Sequence, residues 1–550
     1  MLRRNRRTVL AALALLASAC AADSTCRGTC GTAVFDFLAA PETALPVFVT
    51  SVNAQSVSDM QFLPLAQIGD DLGYVGDEGF EPRLARRWTF EDSITIVFEL
   101  DDRATWHDGE PVTAHDVAFT FDLYRDPVVN SPKRGNIARI AAVTARDDGT
   151  VAFTFSHAYR EQFFDAVYHM PIHPAHLLDT IPRAALQSHP FTRSPIGNGP
   201  YRLTRWDAGG TIELIAVPDF FLGTPGINRI VVQVIPDLNT VVTRLVAGES
   251  DFTDFLGPPV FVEQIDTAPG VRPFPFRSKI YMFAAFNFRD PENPANSHPL
   301  FANAAVREAL SLAVDRATMA QAAMAEFGQV PFGPVSPANP FWEYDVPAVP
   351  FDTAGARQLL AGDGWSDADG DGVLDRDGQR LSFELIIPSS SGLRRQLATM
   401  MQDQLGAIGA EMRIELVEFG AWQAQSQTGR FDATFHAWAE DASPATAITG
   451  SWTSSAANNW GRYASARFDS LITAATRHLD DEAARSAWTE ALRQIQQDWP
   501  AIWVLAPIQV GAIHERIQNA TVRPDSWGAN VWEWQIPSDR MLPRDSVGVR

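Results

Sequence analysis

The sequence is poor in lysine and cysteine, and it carries little positive charge relative to its negative charge. Lys133 and Lys279 are the only lysines among 44 basic residues, and three cysteines occur in 550 residues. We interpret the preference for arginine as a coding bias without a mechanistic role. The formal net charge of −22 argues against nucleic acid or an anionic lipid surface as a partner.

Long apolar runs and enzyme motifs are missing as well. Beyond the N-terminal segment, no run approaches the about 20 apolar residues that a transmembrane helix needs, so we expect no integral membrane segment in the mature chain. A GxSxG elbow, an HExxH pair, a CxxC pair and a P-loop are absent, which predicts a protein that is not an enzyme. The alternative is a metal-dependent peptidase built from dispersed residues, which turnover of peptides would reveal.

The N-terminus has the pattern of an export signal peptide over residues 1–19. Four arginines precede a short apolar segment, and small residues lead to Cys20. We expect lipidation of Cys20, with ordinary signal cleavage as the alternative, and the export route stays open. Cys26 and Cys30 suit a short disulfide in an oxidising compartment, and the alternative is two free thiols in a flexible tether. No Cys or His pair lies nearby to complete a zinc site.

Residues 92–124 predict a strand, a turn and a capped helix. Apolar and polar residues alternate from Ile94 to Leu100, which is the period of a half-buried strand. Asp108 and Gly109 then mark a tight turn. Thr113 with Asp116 forms a capping box at the start of a helix. At 550 residues the whole chain exceeds one hydrophobic core, so we expect at least two lobes.

Several spaced motifs, which cover nearly the whole mature chain, resemble the extracytoplasmic solute-binding proteins of the oligopeptide, dipeptide and nickel family. His115 departs from the family pattern, in which glutamate is commoner. The matching residues are Trp106, His107, Asp108, Gly109, Thr113, Ala114, Asp116 and Val117 in the first motif, Ser194, Pro195, Gly197, Gly199, Pro200 and Tyr201 in the second, and Phe286, Asn287, Phe288, Arg307, Asp315 and Arg316 in the third.

The resemblance implies an α/β periplasmic-binding-protein fold, type II-like, with two lobes, an extra subdomain and a hinge between the lobes. It implies the substrate-binding component of an ABC importer, a monomer that captures a small peptide and delivers it to a membrane permease. An oligosaccharide, a nickel chelate or a sensing role with a receptor are the alternatives. We expect a signal peptide at 1–19, a tether at 20–30, the first lobe at 31–74, 191–285 and 511–550, the subdomain at 75–190 and the second lobe at 286–510.

The same resemblance places the ligand near the end of a buried strand at 433–438. Asp441 stands where peptide-binding relatives carry the aspartate that pairs with the ligand's amino group, although Ala442 and Pro444 depart from their pattern. The alternative is an aspartate that caps a turn. Dipeptide binders carry an arginine for the ligand carboxylate where this chain has 388–392, and Arg394 and Arg395 are nearby substitutes. Trp422, Trp438 and Trp460 are large aromatic residues that can line the cleft or, alternatively, belong to the core, and Asn459 is a further ligand-binding candidate from the matching pattern.

Two further clusters raise the question of a metal. His169, His173 and His176 are spaced like ligands, but intervening prolines prevent the helix that would align them, so we interpret them as structural. An aspartate-rich loop begins like an EF-hand but has Gly378 at the twelfth position, where a bidentate glutamate belongs. A structural calcium ion, or simply a solvated loop, is expected at Asp367, Asp369, Asp371 and Asp375.

Overall fold

The computed structural model describes residues 30–207, 210–440 and 443–546. The predicted signal peptide, Cys20, Cys26 and Asp441 lie outside these residues, and the side chain of Cys30 is not described. The strands are β1 (Cys30–Phe37), β2 (Ala66–Gln67), β3 (Glu81–Pro82), β4 (Ala85–Asp92), β5 (Thr95–Leu100), β6 (Ile140–Ala145), β7 (Thr150–Phe155), β8 (Tyr201–Trp206), β9 (Thr211–Ala216), β10 (Ile227–Val234), β11 (Phe252–Thr253), β12 (Val271–Phe276), β13 (Ile280–Phe286), β14 (Gly328–Gln329), β15 (Asp375–Arg376), β16 (Gln379–Arg380), β17 (Ser382–Pro388), β18 (Glu411–Val417), β19 (Ala433–Ala439), β20 (Ala501–Pro507) and β21 (Gln509–His514).

Helices connect the strands and cover the sheets. The α-helices are α1 (Val52–Asp59), α2 (Ala114–Arg125), α3 (Gln162–Val167), α4 (Ala175–Leu178), α5 (Leu238–Val246), α6 (Pro259–Asp266), α7 (Ala304–Leu312), α8 (Arg316–Met324), α9 (Thr353–Gly362), α10 (Gly392–Gly406), α11 (Phe419–Thr428), α12 (Pro444–Trp452), α13 (Ala466–Arg477) and α14 (Asp481–Asp498). Within the described residues, no helix is long and apolar enough to span a bilayer.

The first lobe is built on a seven-stranded sheet with the order β12-β21-β11-β1-β10-β9-β8. The strand β1 is parallel to β10 and β11, whereas the other pairs are antiparallel. The C-terminal segment covers this sheet, because the ring of Trp527 lies 5.6 Å from Phe35 and 5.0 Å from Phe252. The sheet therefore joins residues from both ends and from the middle of the chain.

The second lobe is built on a six-stranded sheet with the order β14-β20-β13-β19-β17-β18. Its core includes Phe286, Phe301, Leu310 and Phe435, all nearly inaccessible to solvent. The chain passes between the two large sheets at residues 277–279, from β12 to β13, and again between β20 and β21. The fold is therefore α/β with two lobes, and two short segments connect the lobes. The finer lobe boundaries stay a prediction.

A third sheet has four strands in the order β4-β5-β7-β6. The strand predicted within 92–124 is β5 of this sheet, and the predicted turn and helix follow it, with the helix as α2. The predicted capping box is confirmed, since Asp116 N donates to Thr113 Oγ1 (3.4 Å) and Thr113 N donates to Asp116 Oδ2 (2.8 Å). The first two family motifs contact each other here, because His107 N donates to Gly197 O (2.8 Å). A Cβ at Gly197 would lie 2.1 Å from Gln61 O, so close backbone packing requires this glycine.

Candidate functional site

A cavity of ≈ 240 Å³ lies between the lobes. The first lobe contributes residues around α1 and the C-terminal segment, the region of the four-stranded sheet contributes 133–171, and the second lobe contributes the end of β19. The polar and charged residues of the lining are Gln55, Asp59, Gln67, Lys133, Asn136, Tyr168, His169, Lys279, Glu440, Arg523 and Asp525. Segments distant in the sequence therefore converge on one site.

The lining holds charges of both signs, and it includes both lysines of the chain. Lysine is scarce in the sequence, yet both lysines lie at this cavity. Their position favours a functional role for them, which the composition alone did not suggest. Positively and negatively charged side chains in one cleft suit a ligand that carries both charges, because each can form a charge-assisted hydrogen bond. Three acidic and three basic residues balance in the lining, whereas the whole chain has a formal net charge of −22.

Some of these charges already have protein partners. Arg523 Nε donates to Asp525 Oδ1 (2.5 Å), and Tyr168 Oη donates to Asp525 Oδ2 (2.9 Å). Burial opposes the ionisation of Asp525, but Arg523, Lys279 and Tyr168 together outweigh it and hold the pKa of this carboxyl below its usual value. Lys133 Nζ donates to Gln55 Oε1 (3.1 Å). These contacts position the walls of the cavity.

Two carboxylate oxygens at the cavity are buried without a hydrogen-bond partner in the described residues. They are Glu440 Oε2, from the second lobe, and Asp59 Oδ2, from the first. Glu440 Oε1 accepts from Asn339 Nδ2 (3.2 Å). Burial raises the pKa of Glu440 to about 8, although polar groups of Ser336 and Asn339 and the charge of Lys279 oppose the shift. Buried polar atoms are normally paired, so these oxygens mark positions at which a ligand or water can bind.

A wider groove of ≈ 1070 Å³ adjoins the cavity and shares Asn136, Ala439 and Glu440 with it. Trp438 and Trp460 line this groove, with ring centroids 5.9 Å apart. Trp438 also packs against Phe283, at 4.9 Å. The two tryptophans thus support the groove wall and expose apolar surface to it, and their contact with a ligand stays a prediction.

The other predicted ligand contacts lie away from the cavity. Trp422 is 5 % exposed and packs in a small core, where its Nε1 donates to Thr434 Oγ1 (3.1 Å). The guanidinium of Arg394 lies 5.2 Å from the Trp422 ring centroid, burial lowers its pKa to about 10, and the residue belongs to neither lining. Asn459 closes a turn, because its Nδ2 donates to Tyr463 O (2.6 Å) and its Oδ1 accepts from Tyr463 N (3.0 Å).

The histidine and aspartate clusters have different geometries. His173 contacts Pro171 O (2.8 Å), and His176 Nε2 contacts Asp108 Oδ2 (2.9 Å), so these two rings have separate partners. Among the described residues, the group whose carboxylate oxygens lie within 4.8 Å of one another is Asp367, Asp369 and Asp371, all exposed. Asp375 belongs to the short strand β15 and lies outside this group. Calcium binding stays a prediction.

Sequence reasoning missed Lys279, Glu440 and Asp59. None belongs to a motif, and each is separated from the others by more than a hundred positions. The scarcity of lysine was the one signal that could have singled out Lys279 and Lys133. Glu440 directly precedes the predicted ligand residue Asp441, but a neighbouring carboxylate alone indicates no role.

Comparison with known proteins gives one consistent result. Residues 79–460 match the family model described as "Bacterial extracellular solute-binding proteins, family 5 Middle". The oligopeptide-binding protein AppA of Bacillus subtilis is 28% identical over 439 residues, which cover 78% of this chain and 79% of AppA. The probable di/tripeptide-binding protein 5 of Pseudomonas aeruginosa is 25% identical over 481 residues, which cover 80% of this chain and 85% of that relative.

A solved structure agrees with this result. The structure of AppA from Bacillus subtilis in complex with a nonapeptide has a TM-score of 0.77 and 24% identity, and the match covers 93% of this chain and 100% of AppA. At this level of identity the likeness shows the fold. The arrangement of sheets described above is therefore shared with a protein that holds a peptide.

Proposed function

The chain belongs to the bacterial extracellular solute-binding proteins of family 5, and from this premise we propose that it captures a short peptide between its lobes for an ABC importer. The observation that carries the proposal is the cavity between the lobes, whose lining combines charges of both signs from both lobes. A peptide carries an ammonium group, a carboxylate and main-chain amides, which such a lining can bind. The relatives, an oligopeptide-binding protein and a probable di/tripeptide-binding protein, support a peptide as the ligand.

The mechanism follows from the position of the cavity. A ligand that contacts Asp59 in the first lobe and Glu440 in the second stabilises the arrangement in which both lobes approach each other. An empty protein lacks these contacts and favours the open arrangement. A membrane permease can distinguish the two, so the closed form delivers the solute. The wider groove gives room for a ligand longer than the cavity itself.

The protein acts outside the cytoplasm, as its family does. We propose in addition that Cys20 anchors it to the membrane through a lipid and that it works as a monomer. Mass spectrometry of the mature N-terminus tests the anchor, because a lipidated cysteine adds a diacylglycerol mass that ordinary cleavage does not. Binding without turnover is part of the proposal, and incubation of peptides with the protein, followed by mass spectrometry, tests it against the peptidase alternative.

Thermal unfolding of the mature protein with a ligand panel tests the proposed function. The panel contains mixed di- to pentapeptides, nickel with histidine, and cello-oligosaccharides. A ligand at a hundred times its Kd adds about 2.7 kcal/mol to the free energy of unfolding, which raises the midpoint visibly. A midpoint raised by peptides supports the proposal. A midpoint raised by the sugars or the nickel chelate alone contradicts the choice of peptide.

A further inference from the structure

Lys279 lies in the segment that connects the two large sheets, and its side chain lines the cavity. Its carbonyl oxygen accepts a hydrogen bond from Glu440 N (2.8 Å), which holds the two residues side by side. The charge of Lys279 acts on the carboxyl groups of both Glu440 and Asp525. No carboxylate of the described residues forms an ion pair with its ammonium group, whereas Arg523 already neutralises Asp525.

Glu440 adds a second donor beside this ammonium group. It is 6% exposed, its Oε2 has no partner, and it lines the cavity. Because burial raises the pKa of Glu440 to about 8, the side chain holds a proton at neutral pH and can donate a hydrogen bond as a carboxylic acid. An ammonium group and a carboxylic acid in adjacent positions form a binding site for a negatively charged group.

We infer that Lys279 and Glu440 together bind a carboxylate of the solute, either the C-terminus of a peptide or an acidic side chain. The inference rests on the proposed capture of a peptide and names the residues that recognise its negative charge. Charge-assisted hydrogen bonds are stronger than neutral ones, and a partly buried site strengthens them further. Arg394, the candidate that the sequence indicated, does not line the cavity, so Lys279 takes this role.

Three tripeptide mixtures test the inference by isothermal titration calorimetry. The first mixture lacks Asp and Glu and has a free C-terminus. The second is the same mixture with a C-terminal amide. The third is the amide mixture with one Glu in each peptide. We expect the first to bind the wild-type protein at least about 10-fold more tightly than the second, and tight binding of the third would add the acidic side chain as a second source of the carboxylate.

Lys279→Met and Glu440→Gln locate the effect on the protein. Lys279→Met is expected to weaken the free-acid mixture about 10- to 100-fold and the amide mixture less than about 2-fold, because it removes an ionic hydrogen bond to the carboxylate. Glu440→Gln keeps a neutral donor and is expected to bind the free acid within about 3-fold of wild type at neutral pH. Arg202→Met is the matched control, since it removes one positive charge from an exposed position on the edge strand β8.

The outcomes separate this inference from the proposed function. Equal binding of free-acid and amide mixtures to the wild-type protein overturns the carboxylate site and leaves peptide capture standing. The same conclusion follows when Lys279→Met weakens both mixtures equally. If none of the three mixtures binds the wild-type protein, the proposed function fails, and this inference fails with it. The wild-type comparison requires no variant, so a folding defect in Lys279→Met does not remove the test.

Discussion

Two clusters of buried charge in this protein differ in whether their polar atoms have partners. In the first lobe, Arg516 donates to Asp251 from Nε and Nη2 (2.7 and 2.9 Å) and to Asp545 from Nη1 (2.7 Å). Asp251 also accepts from Val34 N (2.8 Å), and Asp545 accepts from Thr32 N (2.7 Å). This cluster joins β1 to the C-terminal segment and leaves these two carboxylates fully paired.

In the cluster at the interlobe cavity, by contrast, some of the buried charged groups lack hydrogen-bond or ion-pair partners among the described residues. Glu440 Oε2 and Asp59 Oδ2 have no partner among the described residues, and Lys279 forms no ion pair with a described carboxylate. The difference is informative because burial without a hydrogen bond is costly and is retained where a function requires it. A complete cluster stabilises the fold, whereas an incomplete one that lines a cavity is ready for a ligand.

Removal of the central arginine should produce the largest effect. Arg516→Met leaves Asp545 buried without a counter-charge and Asp251 with Arg544 as its remaining ion-pair partner, so we expect the free energy of unfolding to fall by about 3–5 kcal/mol. Denaturant unfolding followed by tryptophan fluorescence measures the change. Arg202→Met, at an exposed position, should cost less than about 0.5 kcal/mol. A similar small loss in both variants would show that the Arg516 cluster is not structural.

The cavity cluster should respond to pH instead. The folded-state pKa of Glu440 is about 8, above its value of 4.5 in the unfolded chain, so the folded protein holds more protons between these values. Stability from this group is present below pH 4.5 and is lost as pH rises towards 8. Glu440→Gln removes this loss, so its stability relative to wild type should increase by about 2–4 kcal/mol from pH 5 to pH 8.

This prediction isolates Glu440 because all other groups are common to both proteins. The charged and titratable groups around it are Asp59, Lys133, Tyr168, His169, Lys279, Tyr281, Arg523 and Asp525. Unfolding free energies of wild type and Glu440→Gln at the two pH values provide the measurement. The same stability difference at both pH values would mean that Glu440 is ionised in the folded protein.

A smaller effect is expected in the aromatic region that the sequence associated with the ligand. Trp422→Phe removes the hydrogen bond to Thr434 Oγ1 but keeps most of the packing, so we expect a loss of about 1–2 kcal/mol in stability and unchanged peptide affinity. Trp460→Phe, at the groove, is the matched variant and should lower peptide affinity with less loss of stability. If Trp422→Phe weakened peptide binding and Trp460→Phe did not, the ligand would bind near Trp422 and not in the groove, which would contradict this prediction.

The smallest effect is expected at a surface ion pair between the predicted subdomain and the second lobe. Arg160 pairs with Asp481, whose side chain is 84% exposed. Solvent-exposed ion pairs contribute about 0–1 kcal/mol, so Asp481→Asn should lower stability by less than about 1 kcal/mol. Thermal unfolding at low and high salt measures it, because salt screens such a pair. A loss above about 2 kcal/mol that persists in high salt would contradict this prediction, because a screened surface pair does not contribute that much.

The sequence predicted those parts of the fold that depend on residues close to each other in the chain. The capping box of Thr113 and Asp116 and the alternation in β5 depend on neighbours in the sequence, and the structure confirms both. The family resemblance led to Trp438 and Trp460, which line the groove. It also led to Trp422, which is buried in a core, because a sequence pattern cannot distinguish a tryptophan at a cleft from one inside a lobe.

The charged site required the fold. Asp59, Lys279, Glu440 and Asp525 come together only because the chain passes between two sheets and its C-terminal segment returns to the first. A lysine or glutamate considered alone has no distinguishing neighbours in the sequence. Burial, unpaired oxygens and proximity are properties of the assembled cavity, and they set the pKa of Glu440 as well.

Amine-selective acetylation of the mature protein tests the central claim, that the solute binds between the lobes against Lys279. The chain offers two lysine amines, both in the cavity, and mass spectrometry quantifies each peptide after cleavage at arginine. We expect the free-acid tripeptide mixture to slow acetylation of Lys279 severalfold, while the N-terminal amine, where it is unmodified, reacts at the same rate. Equal acetylation of Lys279 with and without a peptide mixture that binds would contradict it.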